Sequence, residues 1–100
     1  MNPIEQIPAE EWARWAEQHD GVLLDVRQPD EWEQGTLPNA VLLPMTEIMD
    51  RIDEIPKDRA ILCICRSGGR SQQVATFLAF NGYESVANLS GGMHELGMQS

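Results

Sequence analysis

The sequence is short of cations. Seven lysines and arginines stand against 16 aspartates and glutamates, for a net charge of −9. Phosphate contacts need clustered basic side chains, so nucleic acid is disfavoured as a partner. No apolar run approaches the ~18 residues of a membrane helix, and no membrane partner is expected. The opening Met-Asn-Pro-Ile-Glu lacks the basic-then-apolar order of a secretory signal, which makes the cytoplasm the expected location. Only two cysteines occur, Cys63 and Cys65. Their spacing fits neither a zinc site nor a CxxC redox pair, and a disulfide between them would be strained. The two histidines, His19 and His94, make no catalytic pair and are expected in solvent. No metal or other cofactor is expected. No repeat, low-complexity tract or Ser- or Gly-rich linker divides the chain. Its 100 residues, 42% of them hydrophobic, read as one small domain over 1–100, either standing alone or as a module of a longer protein.

What is present centres on residues 61–71, Ile-Leu-Cys-Ile-Cys-Arg-Ser-Gly-Gly-Arg-Ser. The apolar, partly β-branched opening suits a buried parallel strand. A small glycine-bearing turn follows, with Cys65 at its mouth. After Arg70 the pattern becomes helical: Val74, Phe77 and Leu78 share a stripe that Ala75 and Ala79 widen, and Asn81-Gly82 is a stop signal. The reading is strand, tight loop, helix, with Cys65 at the carboxyl end of the strand, where open α/β sheets bind ligands. A loop entering a helix points backbone N–H groups at one spot and favours an anion. Gly68 and Gly69 permit positive φ. A free thiol has a pKa of roughly 8.5, so lowering it by about two pH units at such a site makes the thiolate the majority form. Cys63, further back on the strand, reads as a small buried core residue.

The remaining elements follow in order. Residues 4–7 suit a short edge strand, and residues 8–18 a helix whose apolar side, Trp12, Trp15 and Ala16, packs on the core. Asp20-Gly21 ends it. Residues 22–26 form a buried strand that runs into a turn and a short helix opened by Pro29. A short strand at 41–43 precedes a helix over 45–55, with Ile48, Met49, Ile52 and Ile55 on one side and Met45 and Met49 filling core gaps. Residues 85–89 form the last strand, and Ser-Gly-Gly-Met at 90–93 turns into a C-terminal helix. Asp25 and Arg27 are read as structural: the aspartate accepts loop N–H groups and the arginine pairs with Glu31.

Cys-Arg-Ser-Gly-Gly-Arg-Ser at 65–71 resembles the active loop of the rhodanese (sulfurtransferase) domain family, a short Cys-x4-Arg turn between a central strand and a helix. The likeness extends along the chain. Asp25, Arg27, Glu31, Trp32, Gly35 and Ala40 match the family's N-terminal signature, and Asn-Leu-Ser-Gly-Gly-Met at 88–93 its C-terminal motif. Thr36 stands where the family often has His, Asn39 where it often has Gly, and a Trp common after the last motif is missing. Asn tolerates the left-handed conformation. The resemblance implies a three-layer α/β/α fold with a central, mainly parallel five-stranded sheet and helices on both faces.

Three functions fit these residues. In the first, Cys65 takes the outer sulfur of a donor such as thiosulfate or a persulfide and passes it from a Cys65 persulfide to cyanide, a small thiol or a protein thiol. Arg66, Ser67, Gly68, Gly69 and Arg70 bind the anionic donor, and Asp25, Arg27, Glu31 and Ser71 support the loop. The division of labour between Arg66 and Arg70 is not fixed by sequence, although Arg70 is a candidate loop brace. The second reading is a cysteine phosphatase or arsenate reductase, which generally has one more residue between Cys and Arg and needs an acid for the leaving oxygen. The third is a non-enzymatic interaction module, a role in which such domains often lose the cysteine. The retained Cys65 and the four-residue spacing to Arg70 favour sulfur transfer.

Overall fold

The computed structural model describes residues 4–97. Five strands lie in the order β1 (Glu5–Pro8), β5 (Val86–Ser90), β4 (Ile61–Ile64), β2 (Val22–Asp25), β3 (Val41–Leu42), and every neighbouring pair is parallel. Parallel strands need crossovers. These are α1 (Trp12–His19), α2 (Pro29–Trp32), α3 (Ile48–Arg51) and α4 (Gly69–Phe80), with α5 (Gly92–Glu95) closing the described chain. The expected α/β/α architecture is present.

The two-residue period of the strands divides the core. Val22, Leu24, Ile61, Cys63 and Cys65 face one layer with Ile48, Ile55, Val74, Ala75 and Leu78 of the 45–55 segment and α4. Leu23, Leu62, Ile64, Ala87 and Leu89 face the other with Trp15 and Met93, from α1 and α5. Leu24, Ile61, Leu62 and Ile64 have no exposed surface. Burying each contributes about 1.5–3 kcal/mol relative to leaving it in water. Trp15 packs as expected, whereas Trp12 and Ala16 are only half-buried.

Two sequence expectations change. The first helix begins with a 3-10 turn at Ala9–Glu11 before α1. Its left-handed terminator is Asp20, at φ 48°, ahead of Gly21. The 45–55 segment is one α-helical turn between two 3-10 turns, Met45–Glu47 and Ile52–Glu54. Changing the turn type shifts the angular spacing of side chains. Ile48 and Ile55 therefore reach the core while Met49 points outward, 75% exposed, and is not the core filler it was read as. Asn39 does adopt the left-handed conformation, at φ 62°. Among the described residues no helix is long and apolar enough to cross a membrane.

The sheet sets the site. β2, β4 and β5 run side by side, with Leu24 beside Cys63 and Cys63 beside Asn88. Asp25, Cys65 and the end of β5 therefore converge at one sheet edge, the carboxyl edge of all three strands.

Candidate functional site

Cys65 leaves β4 and begins a loop held from both sides. Val26 N–H donates to the Ile64 carbonyl (2.9 Å). The carbonyls of Cys65 and Arg66 accept N–H bonds from Met93 and His94, both 2.9 Å. That approach is possible only because residue 92 is glycine: a Cβ there would lie 2.4 Å from the Cys65 carbonyl oxygen and 2.5 Å from that of Arg66. At Gly68 the chain reverses with φ 103° and enters α4, where Gln72 N–H donates to the Gly68 carbonyl at 3.1 Å. Gly69 needs no such freedom. It is the first residue of α4, and a side chain there would meet open space.

The loop turns inward onto sulfur. Gly68 N–H donates to Cys65 Sγ at 3.0 Å, and the Ser71 hydroxyl lies 3.3 Å from the same atom. Burial by itself raises a thiol pKa. At Cys65 that effect is outweighed by the hydrogen bond of the Ser71 hydroxyl and the backbone N–H groups of Ser71, Gly68 and Ser67, which hold the thiol below its ordinary value. Cys63, on the same sheet face, has no such donors. Burial, and then the neighbouring Cys65 charge, push its thiol far up, consistent with an inert core residue.

The three arginines and two acids around the loop form two pairs and leave one cation over. Arg27 and Asp25 are buried, at 0% and 1% exposure. Arg27 Nε and Nη2 donate to the Asp25 carboxylate at 2.8–3.1 Å, and Nη2 also donates to the Gly35 carbonyl at 2.7 Å. Asp25 further accepts Arg27 N–H at 3.1 Å, the loop-holding role read from sequence. The expected Arg27–Glu31 ion pair does not form. Arg27 reaches only the Glu31 carbonyl, at 3.4 Å, because its guanidinium is saturated by Asp25 and the loop carbonyls. The Glu31 carboxylate instead takes Arg70, Nη1 to Oε1 at 2.7 Å and Nη2 to Oε2 at 2.8 Å. The Arg70 hydrogen bonds hold its pKa down at about 2 against the upward pull of burial. Arg66 is exposed on the loop beside Ser67, and its side chain makes no hydrogen bond or ion pair among the described residues.

A model of the "Rhodanese-like domain" matches residues 8–99. The chain belongs to this family. Among its rhodanese-like relatives, a sulfurtransferase from Allochromatium vinosum is 48% identical over 80 residues, covering 80% of this chain and 75% of that one. Thiosulfate sulfurtransferase GlpE from Pseudomonas syringae pv. syringae is 33% identical over 92 residues, covering 92% and 86%. In three dimensions the rhodanese-like fold superposes on SSP1007 from Staphylococcus saprophyticus with a TM-score of 0.85 and 31% identity, covering 97% of this chain and 100% of that one. It also matches reduced CoADR-RHD from Bacillus anthracis (TM-score 0.83, 34% identity), covering 90% of this chain but spanning only 16% of that one.

Three residues of this rhodanese-like site were not singled out from sequence. Asn88 of β5 lies against Ser71, Gln6 of β1 against Asn88, and Gln72 of α4 against Gln6. With Ser67, Gly68, Gly69 and Ser90 they line an open groove of about 360 Å³ beside the loop. The signal for Asn88 was its place in the C-terminal motif; nothing local distinguishes the two glutamines. A cavity of about 430 Å³ at the amino end of β2, beside Trp12, Asp20 and Arg59, contains none of the site residues.

Proposed function

We propose that this rhodanese-like chain is a sulfurtransferase that carries a sulfane sulfur as a persulfide on Cys65. The carrying observation is Gly68 N–H donating to Cys65 Sγ at 3.0 Å inside a loop that opens α4. A sulfur atom held this way is stabilised as a thiolate before it accepts another sulfur and again as the leaving thiolate when that sulfur is passed on. The relatives named sulfurtransferase support the same class of reaction.

With thiosulfate as donor, the Cys65 thiolate attacks the outer sulfur. A sulfur–sulfur bond forms at Cys65 as the donor's own sulfur–sulfur bond breaks, and sulfite departs with the electron pair. Cyanide or a thiolate then attacks the outer sulfur of the persulfide, leaves as thiocyanate or a new persulfide, and restores the Cys65 thiolate. This is covalent ping-pong catalysis. Sulfite is a competent leaving group, so no general acid is required.

The side chains divide accordingly. Arg66, exposed and without a partner among the described residues, holds the anionic donor together with the N–H groups of the Ser67–Gly69 turn. Arg70, committed to Glu31, braces the loop. Ser71 supports the thiolate, and the Asp25–Arg27 pair fixes the turn that carries Glu31. The four-residue spacing from Cys65 to Arg70 supports sulfur over a tetrahedral phosphate.

The test is an intact mass of the reduced protein after incubation with thiosulfate, with Cys65→Ser as control. A gain of one sulfur, reversed by cyanide or a thiol and absent from the variant, is the expected result. If neither thiosulfate nor a low-molecular-weight persulfide adds sulfur, the carrier assignment fails.

A further inference from the structure

Ser71 has one hydroxyl proton and three acceptors around it. Cys65 Sγ and the Gly68 carbonyl both lie 3.3 Å away, and Asn88 Oδ1 is much closer. A hydroxyl donates one strong hydrogen bond, so its proton goes either to Cys65 Sγ, the thiolate-supporting bond described above, or, with the amides oriented this way, to Asn88. The contact does not stop there. Asn88, itself buried, donates through Nδ2 to Gln6 Oε1 at 2.9 Å, and Gln6 Nε2 donates to Gln72 Oε1 at 2.6 Å. Register makes the middle link: Gln6 and Asn88 are paired residues of β1 and β5.

Three side-chain amides in series, each with a donor end and an acceptor end, have two self-consistent directions. In the direction above, Ser71 donates outward and its oxygen is free to accept the Cys65 S–H. If all three amides rotate by half a turn, Gln72 donates to Gln6, Gln6 to Asn88 and Asn88 to the Ser71 oxygen. The Ser71 proton then has to turn to Cys65 Sγ, where it stabilises a thiolate. A mixed state, with Ser71 donating to sulfur while Asn88 still presents its oxygen, sets two oxygen lone pairs against each other at the shortest hydrogen bond among the described residues.

We infer that Asn88, Gln6 and Gln72 are positioning residues that form a reversible amide relay, directing the Ser71 proton toward or away from Cys65. The relay deepens the sulfur-carrier reading and rests on it for its use in turnover. It links the charge on sulfur to the groove where Gln6 and Gln72 surface. The charged and titratable groups around Cys65 are Arg70 from α4, Glu31 from α2, Asp25 at the end of β2 and Arg27 just after it, Cys63 on β4, Arg66 on the loop and His94 from α5. All of these stay constant in the test that follows.

Gln6 is exposed, so Gln6→Glu tests the relay without disturbing the core. A carboxylate only accepts, which locks Asn88 as a donor to residue 6 and leaves its oxygen facing Ser71. The readout is the pH dependence of Cys65 alkylation by iodoacetamide, followed by peptide mass in about 1 M KCl, where the Debye length is ~3 Å and the new surface charge is screened. Gln6→Glu is expected to move the midpoint up by about half a pH unit, a loss of about threefold in rate below it. In a Ser71→Ala background the relay is cut, and the same substitution is expected to have no effect. An equal shift in both backgrounds, or no shift in either, overturns the relay. Alkylation needs no sulfur donor, so the two readings fail separately. A relay signature in a protein that takes up no sulfur overturns only the carrier; sulfur uptake without the signature overturns only the relay.

Discussion

Glu31 and Arg70 meet in a two-pronged ion pair, with nitrogen–oxygen distances of 2.7 and 2.8 Å, that joins α2 to the first turn of α4. The same carboxylate accepts the Gln28 N–H at 3.0 Å. One side chain thus closes the start of α2 and fixes the helix entrance that follows Cys65. The two loop arginines are therefore not equivalent.

Arg66→Ala is expected to raise the KM for thiosulfate by about tenfold, the effect of losing about 1.4 kcal/mol of anion binding, with the melting temperature unchanged. Arg70→Ala is expected to reduce stability by about 1 kcal/mol, between the values for exposed and buried pairs because both partners are partly exposed, and to lower kcat through a loosened loop. Steady-state kinetics and thermal melts of the two variants check the split. Matching profiles would contradict it.

The pair also has a pH signature. The Glu31 pKa in the folded chain, about 2, lies below its ordinary 4.5. The folded state therefore holds fewer protons than the unfolded state between those values. The stabilisation from Glu31 is complete above about pH 4.5 and is lost as pH falls toward 2. Urea denaturation of the wild type and Glu31→Gln should show a stability gap at pH 6 that narrows steadily below pH 4.5. A gap that widens on acidification would reverse the assignment.

Asp25→Leu strands the Arg27 guanidinium in a site with no exposed surface. Removing one partner of a buried pair costs about 3–5 kcal/mol, a large share of the 5–15 kcal/mol typical of a domain. The double variant Asp25→Leu/Arg27→Met leaves no uncompensated charge and is expected to be more stable than Asp25→Leu alone. The denaturation midpoints of the three proteins decide the point.

Brief alkylation of the native protein is expected to modify Cys65 and spare Cys63. Both thiols are buried, but the first is held low by hydrogen bonds at the mouth of the loop, while the second has none and is pushed up. Alkylation in denaturant should modify both. Peptide mass mapping reads the difference, and equal labelling in the native state would contradict it.

Much of this was legible in the sequence because it was local. The run Ile61–Ile64, the Gly68 turn and the stripe Val74, Ala75, Leu78 carry their structure in short-range chemistry, and strand–loop–helix followed from them. Asn39 in a left-handed turn was legible for the same reason. What was not legible depended on the chain meeting itself. Glu31 is four residues from Arg27 and 39 from Arg70, yet it pairs with Arg70, because Asp25 had already filled the Arg27 guanidinium. Met49 shared a helical spacing with Ile48 and Ile52, but spacing does not separate α from 3-10 turns, and the change of turn aimed it outward. Gln6 and Asn88 lie 82 residues apart, and only the sheet order joins them.

That sheet order has a consequence in time. β1 is an edge strand whose only neighbour is β5, the last strand of the described chain. During synthesis β1 emerges before the other strands of this sheet and waits unpaired until β2, β3 and β4 have been made, at ≈ 5–20 residues per second. Pairing across so long a separation is slow to nucleate. The sulfur loop, built by β4 and α4, can take shape before then, but the side of it that faces Gln6 is finished only when the first strand of the sheet meets the last in sequence.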